Sequence, residues 1–265
     1  MAADNDMMVP AGGLNAENFL PADLLAKWIR PLLAEFIGPF ALTFIGAGSI
    51  MLAVTQGFSN GGTLVMVALA HGLAIGLMVA AAGHISGGHY NPAVTVGLWL
   101  GGRIGLIKSV AYIAAQLLGA VVAAIVLKQL FDQSTATLAN AIPSVNYGGA
   151  ADNDFIIIGR TNALIIEAIG TFFLMYVIYG VAVDSRGPGA IAPLAIGLTI
   201  TMDILMAGPL TGAAVNPSRH FGVALVDGTW KDWWIYWVGP IGGAAAAAVV
   251  QAYIFQPKSA AEAGG

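Results

Sequence analysis

The chemistry of this 265-residue chain is carried by a few polar groups set in apolar surroundings. Asn91-Pro92-Ala93 and Asn216-Pro217-Ser218 each follow a run of mostly small residues, Ser86 to Tyr90 and Thr211 to Val215. Asn is among the best helix N-caps, and Pro is favoured at the first helical position, where its missing N–H leaves nothing unsatisfied. Both tripeptides therefore read as helix starts. The approaches to them, with Gly87, Gly88 and His89 in one and Gly212 and Ala214 in the other, read as non-helical backbone that offers carbonyl acceptors. The Asn91 and Asn216 amides add donors. An acid stands in a matching frame upstream of each motif: Glu35 in Ala34-Glu35-Phe36-Ile37-Gly38 and Glu167 in Ile166-Glu167-Ala168-Ile169-Gly170, with Glu-to-Asn spacings of 56 and 49 residues. These groups can orient and exclude solutes. They do not make an enzyme, because no nucleophile is paired with a base, and the absence of cysteine removes any thiolate, disulfide or thiol-metal chemistry.

The elements that hold these groups follow from composition. Hydrophobic residues make up 58% of the chain and charged residues 9%, against roughly 25% charged in a soluble globular protein. A water-soluble enzyme is excluded, and with a net charge of -4 and no basic run no nucleic-acid partner is expected. Apolar runs long enough to cross about 30 Å of hydrocarbon fall near Pro31 to Val54, Thr63 to Ala82, Ser109 to Leu127, Leu164 to Val183, Ile191 to Gly208 and Trp233 to Phe255. Asn91 to Leu100 and Asn216 to Val226 reach only about halfway at 1.5 Å per residue. The expected fold is an all-α membrane protein with six transmembrane helices plus two half-helices. Residues 1-23 read as a flexible cytoplasmic tail, 24-257 as the membrane domain with repeats about 31-128 and 161-255, and 258-265 as a C-terminal tail. Lys27, Arg30, Arg103, Lys108, Arg186 and Lys258 lie on one side of this topology, against Lys128, Arg160 and Lys231 on the other, so the positive-inside rule puts both termini in the cytoplasm. Trp28, Trp99, Trp230, Trp233 and Trp234 sit near span ends, as an interfacial belt requires.

Each repeat holds an odd number of spans, so the second is inverted relative to the first. Inverted repeats with interrupted helices place a transport site near the midplane. The two half-helix N-termini then converge there, and their positive dipole ends repel a cation or hydronium. Non-helical backbone at membrane depth is tolerated only where it lines a wet cavity, so a polar, narrow, cation-hostile pore is expected. Glu35 and Glu167 are read as loop supports that satisfy backbone N–H groups, with a proton relay as the rival reading. Arg219, a cation within a short membrane helix, is expected to face water. Asp203 is expected to bond a neighbouring helix. His84 and His89 lack a third ligand at useful spacing, so neither a metal nor a cofactor is expected.

From Pro31 to Phe255 the sequence resembles the aquaporin family, also called major intrinsic proteins. The paired Asn-Pro-Ala motifs appear as Asn91-Pro92-Ala93 and, with Ser for Ala, as Asn216-Pro217-Ser218. The block from Gly83-His84-Ile85-Ser86 through Gly101-Gly102-Arg103 looks like bacterial water channels, whereas Ile191-Ala192-Pro193 and Ala207-Gly208-Pro209 are similar to plant vacuolar members. The resemblance implies a homotetramer with one pore per protomer. It also places a selectivity filter on His71, Ile204, Ala213 and Arg219. Histidine followed by an aliphatic residue is similar to members that pass water together with ammonia or small neutral solutes. Tyr236-Trp237 looks like the water-selective branch, and His220 and Ser218 depart from the usual pattern. In this reading the His71 ring donates to passing solute, and its protonation adds a second positive charge beside Arg219. The expected function is a passive water channel in a cell membrane, plasma or bacterial inner. The alternatives are a channel for ammonia, urea or glycerol, an ion-coupled secondary transporter using Glu35, Glu167 and Asp203, and a closed junction protein.

Overall fold

The computed structural model describes residues 20–146 and 157–255. Lys258 and most of both expected tails lie outside the described residues. In chain order the elements are α1 (Ala22–Thr55), α2 (Gly61–Ser86), the half-length α3 (Pro92–Leu100), α4 (Leu106–Leu130), the single turn α5 (Leu138–Ala141), α6 (Arg160–Val183), α7 (Gly189–Thr211), the half-length α8 (Pro217–Asp227) and α9 (Ile235–Phe255). Six of them, α1, α2, α4, α6, α7 and α9, are long and apolar enough to cross a membrane.

Several boundaries differ from the hydropathy reading. Helix α1 begins at Ala22 rather than near Pro31, because an Asp23–Lys27 pair at i,i+4, 3.0 Å apart, supports a polar first turn beyond the apolar stretch. Helices α2 and α7 continue past Ala82 and Gly208 to Ser86 and Thr211. His84 accordingly stands exposed on a helix rather than in a loop. Each of these two helices stops at a glycine in the left-handed region, Gly87 with φ 95° and Gly212 with φ 83°.

Packing repeats with the sequence. Helix α1 lies on α4 and α6 lies on α9, while α2 crosses α7 and so joins the two repeats. Glycines let the helices approach closely at the α1–α4 and α6–α9 crossings: a Cβ on Gly119 would stand 2.1 Å from the Phe36 carbonyl oxygen, and one on Gly243 would stand 2.0 Å from that of Ala168. The half-helices are exchanged, α3 packing on α9 and α8 on α4. Each repeat therefore completes the other. Leu33, Leu77, Leu194 and Met206 point outward and are more than half exposed, a surface that suits lipid and not water.

Candidate functional site

Each half-helix starts as its dipeptide dictates. The Asn91 side-chain oxygen accepts from the Ala93 N–H at 2.9 Å, and that of Asn216 accepts from the Ser218 N–H at 3.0 Å. The Ser218 hydroxyl turns back onto the same Asn216 oxygen at 2.7 Å and is fully buried, so the departure from Ala leaves no hydroxyl facing outward. The amide nitrogens reach across to the other repeat: Asn91 Nδ2 donates to the Val215 carbonyl at 2.8 Å, and Asn216 Nδ2 donates to the Tyr90 carbonyl at 2.9 Å. Two chain segments far apart in sequence are thereby locked face to face, each amide keeping one further N–H.

The approach loops are held by the two acids. Glu35 accepts from the Ser86 hydroxyl at 2.6 Å, from the His89 and Tyr90 N–H groups at 2.9 and 2.8 Å, and from Gln116 Nε2 at 2.7 Å. Glu167 accepts from the Thr211 hydroxyl at 2.7 Å and from the Ala214 and Val215 N–H groups at 3.0 and 2.8 Å. Ser86 and Thr211 in turn accept from the Gly88 and Ala213 N–H groups, both at 3.0 Å. Tyr112 and Tyr236 close the arrangement by donating to the Ser86 and Thr211 carbonyls, both at 2.9 Å. With their oxygens committed in this way, neither Glu35 nor Glu167 is placed to ligate a transported ion. The carbonyls of Gly87, Gly88 and His89, and likewise those of Gly212, Ala213 and Ala214, receive no protein donor among the described residues. The backbone that achieves this is unusual, since Tyr90, Ala213 and Val215 all have φ between 41° and 50°.

A cavity of about 730 Å³ opens beside the second loop, with His71, Ile204, Gly212 and Arg219 in its wall. Arg219 is almost fully buried; its Nη1 donates to the Ala141 carbonyl at 2.9 Å and its Nε to His71 Nε2 at 3.3 Å. A guanidinium cannot accept, so His71 Nε2 is the acceptor and the ring proton is on Nδ1, which donates to the Val67 carbonyl at 2.9 Å. This corrects the expectation that the ring donates to solute: both nitrogens are committed within the protein, and the ring contributes a carbon edge. Ala213 does not line this cavity; it lines a separate crevice between α6 and α7. His220 points away as well, fully buried and stacked on Tyr236 at 4.4 Å between ring centroids. Neither departure from the usual motif narrows this cavity. Asp203 lies elsewhere, between α6 and α7, and makes no hydrogen bond among the described residues.

Residues 25–251 match the Major intrinsic protein family. The chain belongs to that family of membrane channels. Among its relatives, a probable aquaporin TIP3-2 from Arabidopsis thaliana is 44% identical over 239 residues, covering 86% of this chain and 85% of the relative. Aquaporin TIP4-4 from Zea mays is 41% identical over 241 residues, covering 89% and 91%. The X-ray structure of the aquaglyceroporin from Plasmodium falciparum superposes with a TM-score of 0.74 at 29% identity, covering 86% of this chain and 97% of that one.

Several supports of this major intrinsic protein carry little sequence signal. The Ala141 carbonyl that orients Arg219 sits on the short α5 outside both repeats. Gly46 makes room for the His71 ring, since a Cβ there would stand 2.4 Å from it. Ser86 and Thr211 were detectable as hydroxyl residues at matched positions five before each Asn, and that match is their signal.

Proposed function

We propose that this chain is a passive water channel. The observation that carries this reading is the pair of cross-repeat bonds from Asn91 and Asn216, which fix two half-helix N-termini together under a row of donor-free loop carbonyls. Water moves along those carbonyls in single file and turns at the remaining N–H of each asparagine. The half-helix dipoles and Arg219 oppose cations and hydronium. His71, Ile204, Ala213 and Arg219 form the selectivity filter, Ala213 through its carbonyl, and the 730 Å³ cavity is the vestibule leading to it. Transport needs only an osmotic or concentration gradient. The chain assembles as a homotetramer with one pore per protomer in a cell membrane, both termini cytoplasmic, and its pore domain spans 24-257 between polar tails.

A second reading, with ammonia or small neutral solutes such as urea or glycerol alongside water, is supported by His71, both of whose ring nitrogens are bonded within the protein, and aliphatic Ile204 lining the same cavity, which leaves the filter less polar than Arg219 alone would make it. Stopped-flow light scattering on proteoliposomes separates the two. Fast shrinkage in sucrose, without re-swelling in glycerol or urea and without accelerated alkalinisation of an internal pH dye by ammonia, establishes water selectivity. Re-swelling or accelerated alkalinisation establishes the second reading.

A further inference from the structure

Arg219 is a buried cation without a counter-ion in the protein. It is 3% exposed and lines the 730 Å³ cavity, yet it forms no ion pair, and no carboxylate lines that cavity among the described residues. Charges placed this deep are normally paired. Its two protein acceptors are both neutral, His71 Nε2 at 3.3 Å and the Ala141 carbonyl at 2.9 Å. A guanidinium carries five N–H donors, so these contacts leave three, both on Nη2 and one on Nη1. Nη2 has no protein partner among the described residues and is not sealed from solvent. Adjacent on one planar group, the remaining donors form the fork that takes a carboxylate through two parallel N–H···O bonds.

The rest of the wall narrows the kind of carboxylate that fits. Leu64, Val67, Ile142 and Ile204 line the same cavity and give an alkyl chain an apolar surface beside the charged head. Asn140 lines it too; its Oδ1 is held by the Thr137 N–H at 2.8 Å, so its amide nitrogen is the end left for an anion. The volume lies within the roughly 300–1,000 Å³ of small-molecule sites. Arg219 stands in the first turn of α8, whose positive end adds to the attraction. Farther along, the first loop presents the donor-free carbonyls of Gly87, Gly88 and His89, acceptors that repel an anion. A carboxylate held by Arg219 therefore does not cross.

We propose that this cavity binds a short-chain monocarboxylate, with its carboxylate on the Arg219 fork and its alkyl chain on Leu64, Val67 and Ile204, and that the bound anion closes the pore. The binding stands on the surroundings of Arg219; the closure rests on reading the cavity as the vestibule of a water pore.

The test titrates the full-length protein at neutral pH with sodium butyrate, against butyramide, which has the same chain without the charge, and against sodium chloride at equal ionic strength. Two readouts are taken: the thermal melt in nanodiscs, and osmotic shrinkage of proteoliposomes with each compound equilibrated on both sides. The expected result is a saturable rise in Tm with butyrate, binding of butyramide at least about tenfold weaker, as loss of charge-assisted hydrogen bonds implies, and shrinkage slowed over the same butyrate range. Arg219→Ala removes the fork and is expected to erase the butyrate-specific melt shift. Equal melt shifts by butyrate and butyramide, a butyrate shift no larger than that of chloride, or an undiminished response in Arg219→Ala would each overturn the site. Unslowed water flux at saturating butyrate would overturn the closure. A butyrate-specific melt shift in a protein that conducts no water would uphold the site and overturn the water-channel reading instead. If Arg219→Ala does not fold, the comparison of butyrate with butyramide in the parent decides it.

Discussion

Thr211→Val keeps side-chain shape and removes one hydroxyl, which makes it a clean probe of the loop supports. In the parent that hydroxyl donates to Glu167 at 2.7 Å and accepts from the Ala213 N–H at 3.0 Å. Losing a hydrogen bond to a charged group costs about 1.5–3 kcal/mol, and leaving a buried N–H unsatisfied costs about 1–3 kcal/mol more. Ala213 is buried, so water cannot take over. The expected destabilisation is roughly 3–5 kcal/mol. Ser86→Ala removes the equivalent pair of bonds, at 2.6 and 3.0 Å, but Glu35 keeps three other donors and Gly88 is only partly buried, so its N–H can turn to water. Its expected cost is roughly 1.5–3 kcal/mol. At about 2–4 °C per kcal/mol for a chain of this size, Thr211→Val melts several degrees below Ser86→Ala in the same detergent. The assay is a thermal melt paired with osmotic permeability of each variant in proteoliposomes. If Ser86→Ala is the more damaging, or both variants melt with the parent, the account of these loops is wrong.

Other consequences can be checked with single variants. Gly119→Ala and Gly243→Ala each drive a methyl against a backbone carbonyl about 2 Å away, and each is expected to cost about 3 kcal/mol or more, read as lost monodisperse protein on size exclusion. Because the chain has no cysteine, mercurials are expected to leave water flux unchanged; rapid block reversed by a thiol would contradict this. Arg219→Ala is expected to keep water flow and admit larger or charged solutes, measured as glycerol, urea and ion fluxes, and unchanged selectivity would remove Arg219 from the filter. His71→Phe puts a bulkier ring beside Ile204 and is expected to lower urea and ammonia flux relative to water; unaltered ratios, in a parent that passes them, would refute the filter placement.

Much of this fold was legible because a bilayer leaves few choices. Apolar runs set the spans, and Asn-Pro set the half-helix starts, where capping chemistry and the proline N–H rule coincide. Glu35 and Glu167 were legible through their repeated frames. What escaped was whatever depends on tertiary neighbours. Hydropathy placed the ends of α2 and α7 too early because Ser86 and Thr211 are polar, yet each completes the last turn while bonding an acid from another helix. The tautomer of His71 could not be read without Arg219 and Val67 beside it. Asp203 was expected to find a partner across a helix interface; instead it lines the crevice between α6 and α7 with no hydrogen-bond partner among the described residues. Both repeats obey the same plan, and their differences are visible only once the plan is folded.

The most direct test of the central claim is to record osmotic shrinkage in proteoliposomes with no sodium or proton gradient imposed, and then proton flux in the same proteoliposomes under an imposed pH step. A passive, cation-excluding water pore predicts shrinkage many times faster than in empty liposomes and proton flux no greater than theirs. Shrinkage equal to that of empty liposomes, or water flux that appears only when an ion gradient is applied, would contradict it.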